Sequence, residues 1–119
     1  MTDDRLRAIA PDSLPAVVLR YLEAQRVRDT ATAIATFTDD ATVIDDGATH
    51  RGRAAVEQWL DRAASEFTYT TELVGAQQAG DAHYVATQHL EGDFPGGTVD
   101  LHYRFTLGSG LIERLVIEP

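Results

Sequence analysis

The apolar positions of this chain keep a helical period in its first half and a strand period in its second. Leu14, Val17, Val18, Tyr21, Leu22 and Gln25 fall on one helical face, with Arg20, Glu23, Arg26 and Arg28 largely on the other. This spacing predicts an amphipathic helix ending near Arg28, with Asp12-Ser13 as an N-cap and Pro15 in its first turn. Asp29 or Thr30 caps a short second helix through about Phe37, with Ile34 and Phe37 as its apolar contacts. A third helix, from about residue 53 to 65, carries Val56, Trp59, Leu60 and Ala63 as its buried stripe.

Beyond residue 66 the period becomes two. Runs at about 67–77, 82–91, 98–107 and 111–118 are rich in β-branched and aromatic residues. They are separated by Ala79-Gly80-Asp81, Pro95-Gly96-Gly97 and Gly108-Ser109-Gly110, turns at the spacing of an antiparallel meander. Tyr84, Ala86, Gln88 and Leu90 share one face, as do Val99, Leu101, Tyr103, Phe105 and Leu107; these sets are expected to face the helices. The opposite face carries His83, Val85, Thr87 and His89, then Asp100, His102, Arg104 and Thr106. In the last run two inner sets are open: Leu111, Glu113, Leu115 and Ile117, or Ile112, Arg114 and Val116. Helices first and a long curled antiparallel sheet after give an α+β fold, with the helices on one sheet face.

One short strand, residues 42–46, lies between the two halves. Its Asp45 is in phase with Ala41 and Val43, so an interior facing those two receives a carboxylate as well. Such a group is costly to bury unless it is hydrogen-bonded, protonated or opens on a wet pocket, and proton-transfer chemistry is built from such placements. The competing reading is a solvated turn, because the Asp-Asp-Gly that follows is rich in turn formers. Gly47 marks one turn and His50-Arg51-Gly52 a second.

Length and charge narrow the classes. The 119 residues make one domain, 13–119, preceded by a loosely held lead-in over 1–12. Without cysteine there is no disulfide and no thiolate chemistry. A net charge of −9 argues against nucleic acid and anionic membrane surfaces as partners. No apolar run approaches a membrane span, and the acidic Met1-Thr2-Asp3-Asp4 does not read as a secretory signal, so a cytoplasmic location is expected. All ten basic residues are arginine, which fits a GC-rich bacterial source. The four histidines show no helical ligand spacing; His83, His89 and His102 fall on the outer face and His50 in a turn, so no metal site is expected.

Three stretches together resemble a known family. Arg20-Tyr21-Leu22, the run Ala33–Asp46, and Arg51-Gly52-Arg53-Ala54-Ala55-Val56 are similar to the nuclear-transport-factor-2-like (cystatin-like) superfamily, in its SnoaL-like and ketosteroid isomerase-like branches. The run Leu101-His102-Tyr103-Arg104-Phe105 is similar to a late strand of the isomerases. The resemblance covers about residues 14 to 118 and implies a cone, a curved sheet wrapped around three helices with an interior pocket. It places Asp45 where the isomerases keep their general base and Tyr21 where they keep a hydrogen-bond donor to the substrate oxygen. In those isomerases a protonated aspartic acid assists the tyrosine. The matching position here is Leu101, with Asp100 beside it on the opposite strand face, which leaves Gln88 or Trp59 as substitute donors.

The resemblance implies an isomerase- or cyclase-type enzyme acting without cofactor on an apolar carbonyl compound. Phe37, Val43, Trp59, Leu60, Tyr84, Ala86, Gln88, Leu101, Tyr103 and Val116 are expected to contact the ligand. Two other readings stand beside it. One is a ligand-binding or dimerisation module without catalysis; with or without catalysis, a homodimer through the outer-face residues Val85, Thr87, His89, His102 and Arg104 is expected. The other is an epoxide-hydrolase-like enzyme, a reading that an Arg114 pointing inward near Asp45 would favour. Because the motifs occur across enzymes and binders alike, the fold does not choose among these readings.

Overall fold

The computed structural model describes residues 5–66 and 68–119. Its elements are strand β1 (Arg7–Ile9), a 3-10 turn (Pro11–Ser13), helices α1 (Ala16–Arg26) and α2 (Thr30–Ile34), and strands β2 (Phe37–Asp45) and β3 (Ala48–Arg51). Helix α3 (Arg53–Glu66) follows, then strands β4 (Tyr69–Ala79), β5 (His83–Gly92), β6 (Thr98–Gly108) and β7 (Leu111–Glu118). The strands form one curved, unclosed sheet in the order β1-β4-β5-β6-β7-β2-β3. Every pairing is antiparallel except β2 with β7, which is parallel. With the three helices on the inner face, this is the expected α+β cone.

Cross-strand register explains which side chains meet. Val43, Leu115, Phe105 and Tyr84 lie on one transverse row of the inner face, and Asp45, Ile117, Tyr103 and Ala86 on the next. Tyr21 from α1 stands edge-on to Phe37 and Phe105, with ring centroids at 5.6 and 5.7 Å, an arrangement aromatic pairs favour. Val18, Val43, Val56, Ile112 and Leu115 close the packing around them and are fully buried.

A bulge settles the phase of the last strand. Thr106 pairs with Arg114 but Leu107 pairs with Ile112, so Glu113 is an extra residue that shifts the alternation by one. Ile112, Leu115 and Ile117 therefore all face inward, a mixture of the two sets that strict alternation offers. Arg114 and Val116 face outward beside Thr106 and Arg104. The expected inward Val116 is corrected on this ground.

Several boundaries also differ from the sequence reading. Helix α1 has Pro15 at its N-cap without a side-chain cap, because the residue before a proline is held extended, as Leu14 is. Helix α2 is capped by Asp29, which accepts from the Thr32 backbone N–H at 3.1 Å. That helix stops at Ile34 rather than Phe37, since β7 claims the backbone there: Ile112 N donates to Thr36 O at 2.8 Å. His50 lies on a strand, not in a turn. Asp46 and Gly47, with φ of 52° and 77°, make a two-residue hairpin turn that continues the chain into β3, opposite Val43. Arg7–Ile9, within the expected lead-in, adds an edge strand to β4. The expectation for residues 1–4 and the strand start at Phe67 lie outside the described residues.

Candidate functional site

The sheet narrows toward one end of the cone. Strand β2 ends at Asp45 and β7 at Glu118, whereas β4, β5 and β6 run on through the rows of Leu101 with Gln88 and Val99 with Leu90. The inner face beyond Asp45 thus loses two strands of cover. A cavity of about 600 Å³ opens there, a size suited to a small organic ligand. Asp45, Trp59, Leu101, Tyr103 and Ile117 line it, with Gln25 from α1, Tyr69 from β4 and Phe94-Pro95 from the β5–β6 loop.

Four polar side chains of the wall, Asp45, Trp59, Gln25 and Tyr103, are held by hydrogen bonds. Trp59, in the middle of α3, donates its indole Nε1–H to Asp45 Oδ2 at 3.0 Å. Asp45 is half-buried, so this bond and an aqueous mouth together accommodate its charge. His50 lies beside the same indole, with ring centroids 6.2 Å apart. On the opposite wall Gln88 Nε2 donates to Gln25 Oε1 at 2.9 Å, and Gln25 Nε2 donates to the Tyr103 hydroxyl at 2.9 Å. Burial pushes the Tyr103 hydroxyl well above the usual tyrosine range, opposed in part by the neighbouring Gln25 and Gln88 amides.

The rim is held by two devices. Arg28, at the end of α1 with φ of 60°, donates to Ala64 O on α3 and to Tyr69 O at 3.3 Å, and its guanidinium sits 5.0 Å from the Tyr69 ring centroid. Gly92 meets β4 so closely that a Cβ there would stand 2.5 Å from Thr68 O and 2.6 Å from Tyr69 Cβ. Asp93 then exchanges hydrogen bonds with Thr68 at 2.9 and 3.1 Å, anchoring the loop that carries Phe94 and Pro95.

Of the residues expected at the site, the structure brings Asp45, Trp59, Leu101 and Tyr103 to this cavity. Gln88 stands behind Gln25, almost wholly buried. Tyr21 and Leu60 line a separate space of about 40 Å³ between the helices, which shares Gln25, Trp59, Ala63 and Tyr69 with the larger one. Burial raises the Tyr21 hydroxyl well above its ordinary value. Phe37, Val43 and Ala86 are packed into the core with no exposed surface. Tyr84 lies at the far end of the inner face, where its hydroxyl donates to Asp81 O at 3.3 Å. Val116 faces the outer groove with Arg104 and Arg114.

Two open questions are answered by register. Asp100 pairs with His89 on the outer face, their side chains 2.6 Å apart, and does not enter the cavity. Arg114 is likewise outside, so the inward arginine that would favour an epoxide-hydrolase-like site is not in this wall. Sequence reasoning did not place Gln25, Tyr69, Leu90, Phe94, Pro95, Val99 or Ile117 in the wall. Leu90 and Val99 had the inner phase of their strands, and Gln25 carried a signal as the one polar member of the α1 apolar stripe.

The chain matches the SnoaL-like domain family over residues 18–114. A crystal structure of a candidate polyketide cyclase from Sinorhizobium meliloti superposes with a TM-score of 0.85 and 33% identity, covering 92% of this chain and 100% of that one. A Catenulispora acidiphila protein with a ketosteroid isomerase-like fold, solved with trimethylamine, gives 0.77 at 20% identity over 88% and 85%. An epoxide hydrolase/cyclase-like enzyme of pyran ring formation in salinomycin gives 0.73 at 20% identity, covering 85% of each chain. At such identities these last two show likeness of fold alone. No sequence among the curated proteins matches the chain. The fold, the matched span and the Sinorhizobium likeness agree: this chain belongs to the SnoaL-like domain family, on the nuclear-transport-factor-2-like, ketosteroid isomerase-like fold.

Proposed function

We propose that the protein is an enzyme of isomerase or cyclase type that moves a proton on a small apolar carbonyl compound, with Asp45 as general base. The observation that carries this reading is a carboxylate, oriented by the Trp59 indole, on the wall of a largely apolar cavity of about 600 Å³. A half-buried carboxylate held through one oxygen keeps the other available to a ligand. Apolar walls exclude water from the reacting carbon, which strengthens each hydrogen bond made inside. Asp45 removes a proton from the carbon next to the carbonyl; the C–H electron pair passes into the enolate, and the same carboxyl returns the proton at that or a neighbouring position. The candidate polyketide cyclase likeness is consistent with a substrate of this class.

The test uses 2-tetralone, a bicyclic ketone with acidic α-hydrogens. Exchange of those hydrogens in D₂O, followed by mass spectrometry, is expected to run above the buffer rate in the wild type. Asp45→Asn is expected to lower it by roughly 10²–10⁴, the range of a single general base. Exchange at the buffer rate in the wild type, or full exchange in Asp45→Asn, overturns the reading.

The outer sheet face supports an assembly. Val85 and Val116 lie there on one transverse row with Arg104 between them; Arg104 pairs with Glu118 at 2.6 Å, and Thr87 meets His102 at 2.9 Å nearby. A broad sheet face that mixes apolar and polar side chains in this way is compatible with a partner surface, and we assign this face to a second copy of the chain.

A further inference from the structure

The cavity has two polar walls, and only one of them holds the proposed base. On the other wall three side chains from three elements, Gln88 on β5, Gln25 on α1 and Tyr103 on β6, are joined in series at 2.9 Å per step. The direction of this series decides its chemistry. Gln88 gives an N–H to the Gln25 carbonyl oxygen, so Gln25 turns its own N–H₂ toward Tyr103. The Tyr103 oxygen is therefore an acceptor in this contact, and its proton is left for another partner. Among the described residues no protein acceptor takes that proton. Tyr103 is 2% exposed and lines the cavity, so the cavity is where a partner for that proton can stand.

We propose that Tyr103 donates the hydrogen bond that holds the ligand oxygen in the Asp45 cavity, and that Gln25 and Gln88 are positioning residues that keep its proton free for that use. The proposal rests on the reading of this cavity as a carbonyl site. Tyr103 and Asp45 lie on one transverse row of the inner face with Ile117 between them, so a ligand seated over Ile117 has one on each side. Tyr21 borders the smaller space instead. Because burial keeps the Tyr103 hydroxyl protonated far above neutral pH, it acts as a donor to the enolate oxygen and does not transfer its proton.

Infrared spectroscopy of bound 2-tetralone tests the assignment, with the fluorescence of Trp59, the single tryptophan, reporting occupancy. In the wild type the bound carbonyl band is expected to shift to lower frequency, as a hydrogen-bonded carbonyl does. Tyr103→Phe is expected to abolish the shift and weaken binding roughly 3- to 10-fold, the worth of one neutral hydrogen bond. Gln25→Glu places an acceptor where the amide donated; the Tyr103 proton turns to it, and the shift is lost while Tyr103 remains. Asp45→Asn keeps the shift. Where Gln25→Glu does not fold, judged by its urea transition, Gln88→Leu replaces it, with a diminished shift expected.

Absence of tetralone binding to the wild type overturns the carbonyl-site reading and this proposal with it. A shift that survives in Tyr103→Phe, or disappears in Tyr21→Phe, overturns the Tyr103 assignment alone. A shift unchanged in a folded Gln25 or Gln88 variant removes their positioning role.

Discussion

The two ends of the cone are built from the same alternating strands and have opposite interiors. At one end Tyr21, Phe37 and Phe105 interlock edge to face, with β2 and β7 completing the sheet beneath them. At the other end β2 and β7 have stopped, and the same sheet face borders a cavity of about 600 Å³. Side-chain polarity is not the main difference, since Leu101, Val99, Leu90 and Ile117 in the cavity wall are as apolar as the core. The number of strands facing the helices differs. A cavity in this fold follows from strands of unequal length, and the polar groups at the frontier, Asp45 and Tyr103, are those whose row is the last to be spanned by β2 and β7.

This contrast has an energetic signature. Phe105→Ala removes a ring packed on all sides and is expected to lower stability by about 3–5 kcal/mol. Leu101→Ala trims a half-buried wall residue that faces open space, and the loss is expected to be about 1 kcal/mol. Urea unfolding at fixed pH compares the two directly. Equal losses would mean that the cavity end is packed like the core, and the contrast would fail.

The rim yields a smaller effect and sharpens the same contrast. Gly92→Ala sets a methyl group against Thr68 O and Tyr69 Cβ at 2.5–2.6 Å, so either β4 or the loop at 93–97 must move. A loss of about 1–3 kcal/mol is expected, the usual cost of overpacking. Hydrogen exchange should rise in the loop carrying Phe94 and Pro95 and stay unchanged around Tyr21. Faster exchange at the packed end too would show that the two ends do not unfold independently.

Legibility in the sequence divided along this same line. The packed end could be read from periodicity, because Val18, Tyr21, Val43 and Phe105 obey the period of their own element. The family resemblance rested on such positions as well, and the α+β cone followed. Asp45 could be read because a carboxylate in phase with Ala41 and Val43 is a local contradiction. The rest of the site depended on lengths and shifts that no period encodes. Glu113 as a bulge reversed Val116 and Arg114, and the early end of β7 opened the wall at Ile117. The Asp46-Gly47 turn converted an expected loop into β3, which turned His50 toward Trp59. Tyr84 and Ala86 have the inner phase that was assigned to them, but depth along the cone is not a property of phase. Gln25 was visible as a polar residue in an apolar stripe; its meaning required the partner 63 residues away on β5.

The outer face is a third environment, and its histidine reports on it with the smallest effect. His89 faces Asp100 at 2.6 Å and Glu91 at 3.3 Å, and these hydrogen bonds raise its pKa above the ordinary 6.5. A folded-state pKa above the unfolded one means that the protonated pair stabilises the fold fully below pH 6.5. That contribution disappears as pH rises through the folded value. Because the site is exposed, the change is expected to be slight, and an NMR titration of the His89 ring measures it better than unfolding does. Asp100→Asn should return the midpoint toward 6.5. The same titration bears on the second copy assigned to this face. Covering His89 with a partner surface alters its solvation, so the midpoint should move with protein concentration over the range in which sedimentation shows association. A single midpoint at all concentrations, with a monomer throughout, would leave the outer face as a solvated surface and the cavity as the one functional end of the cone.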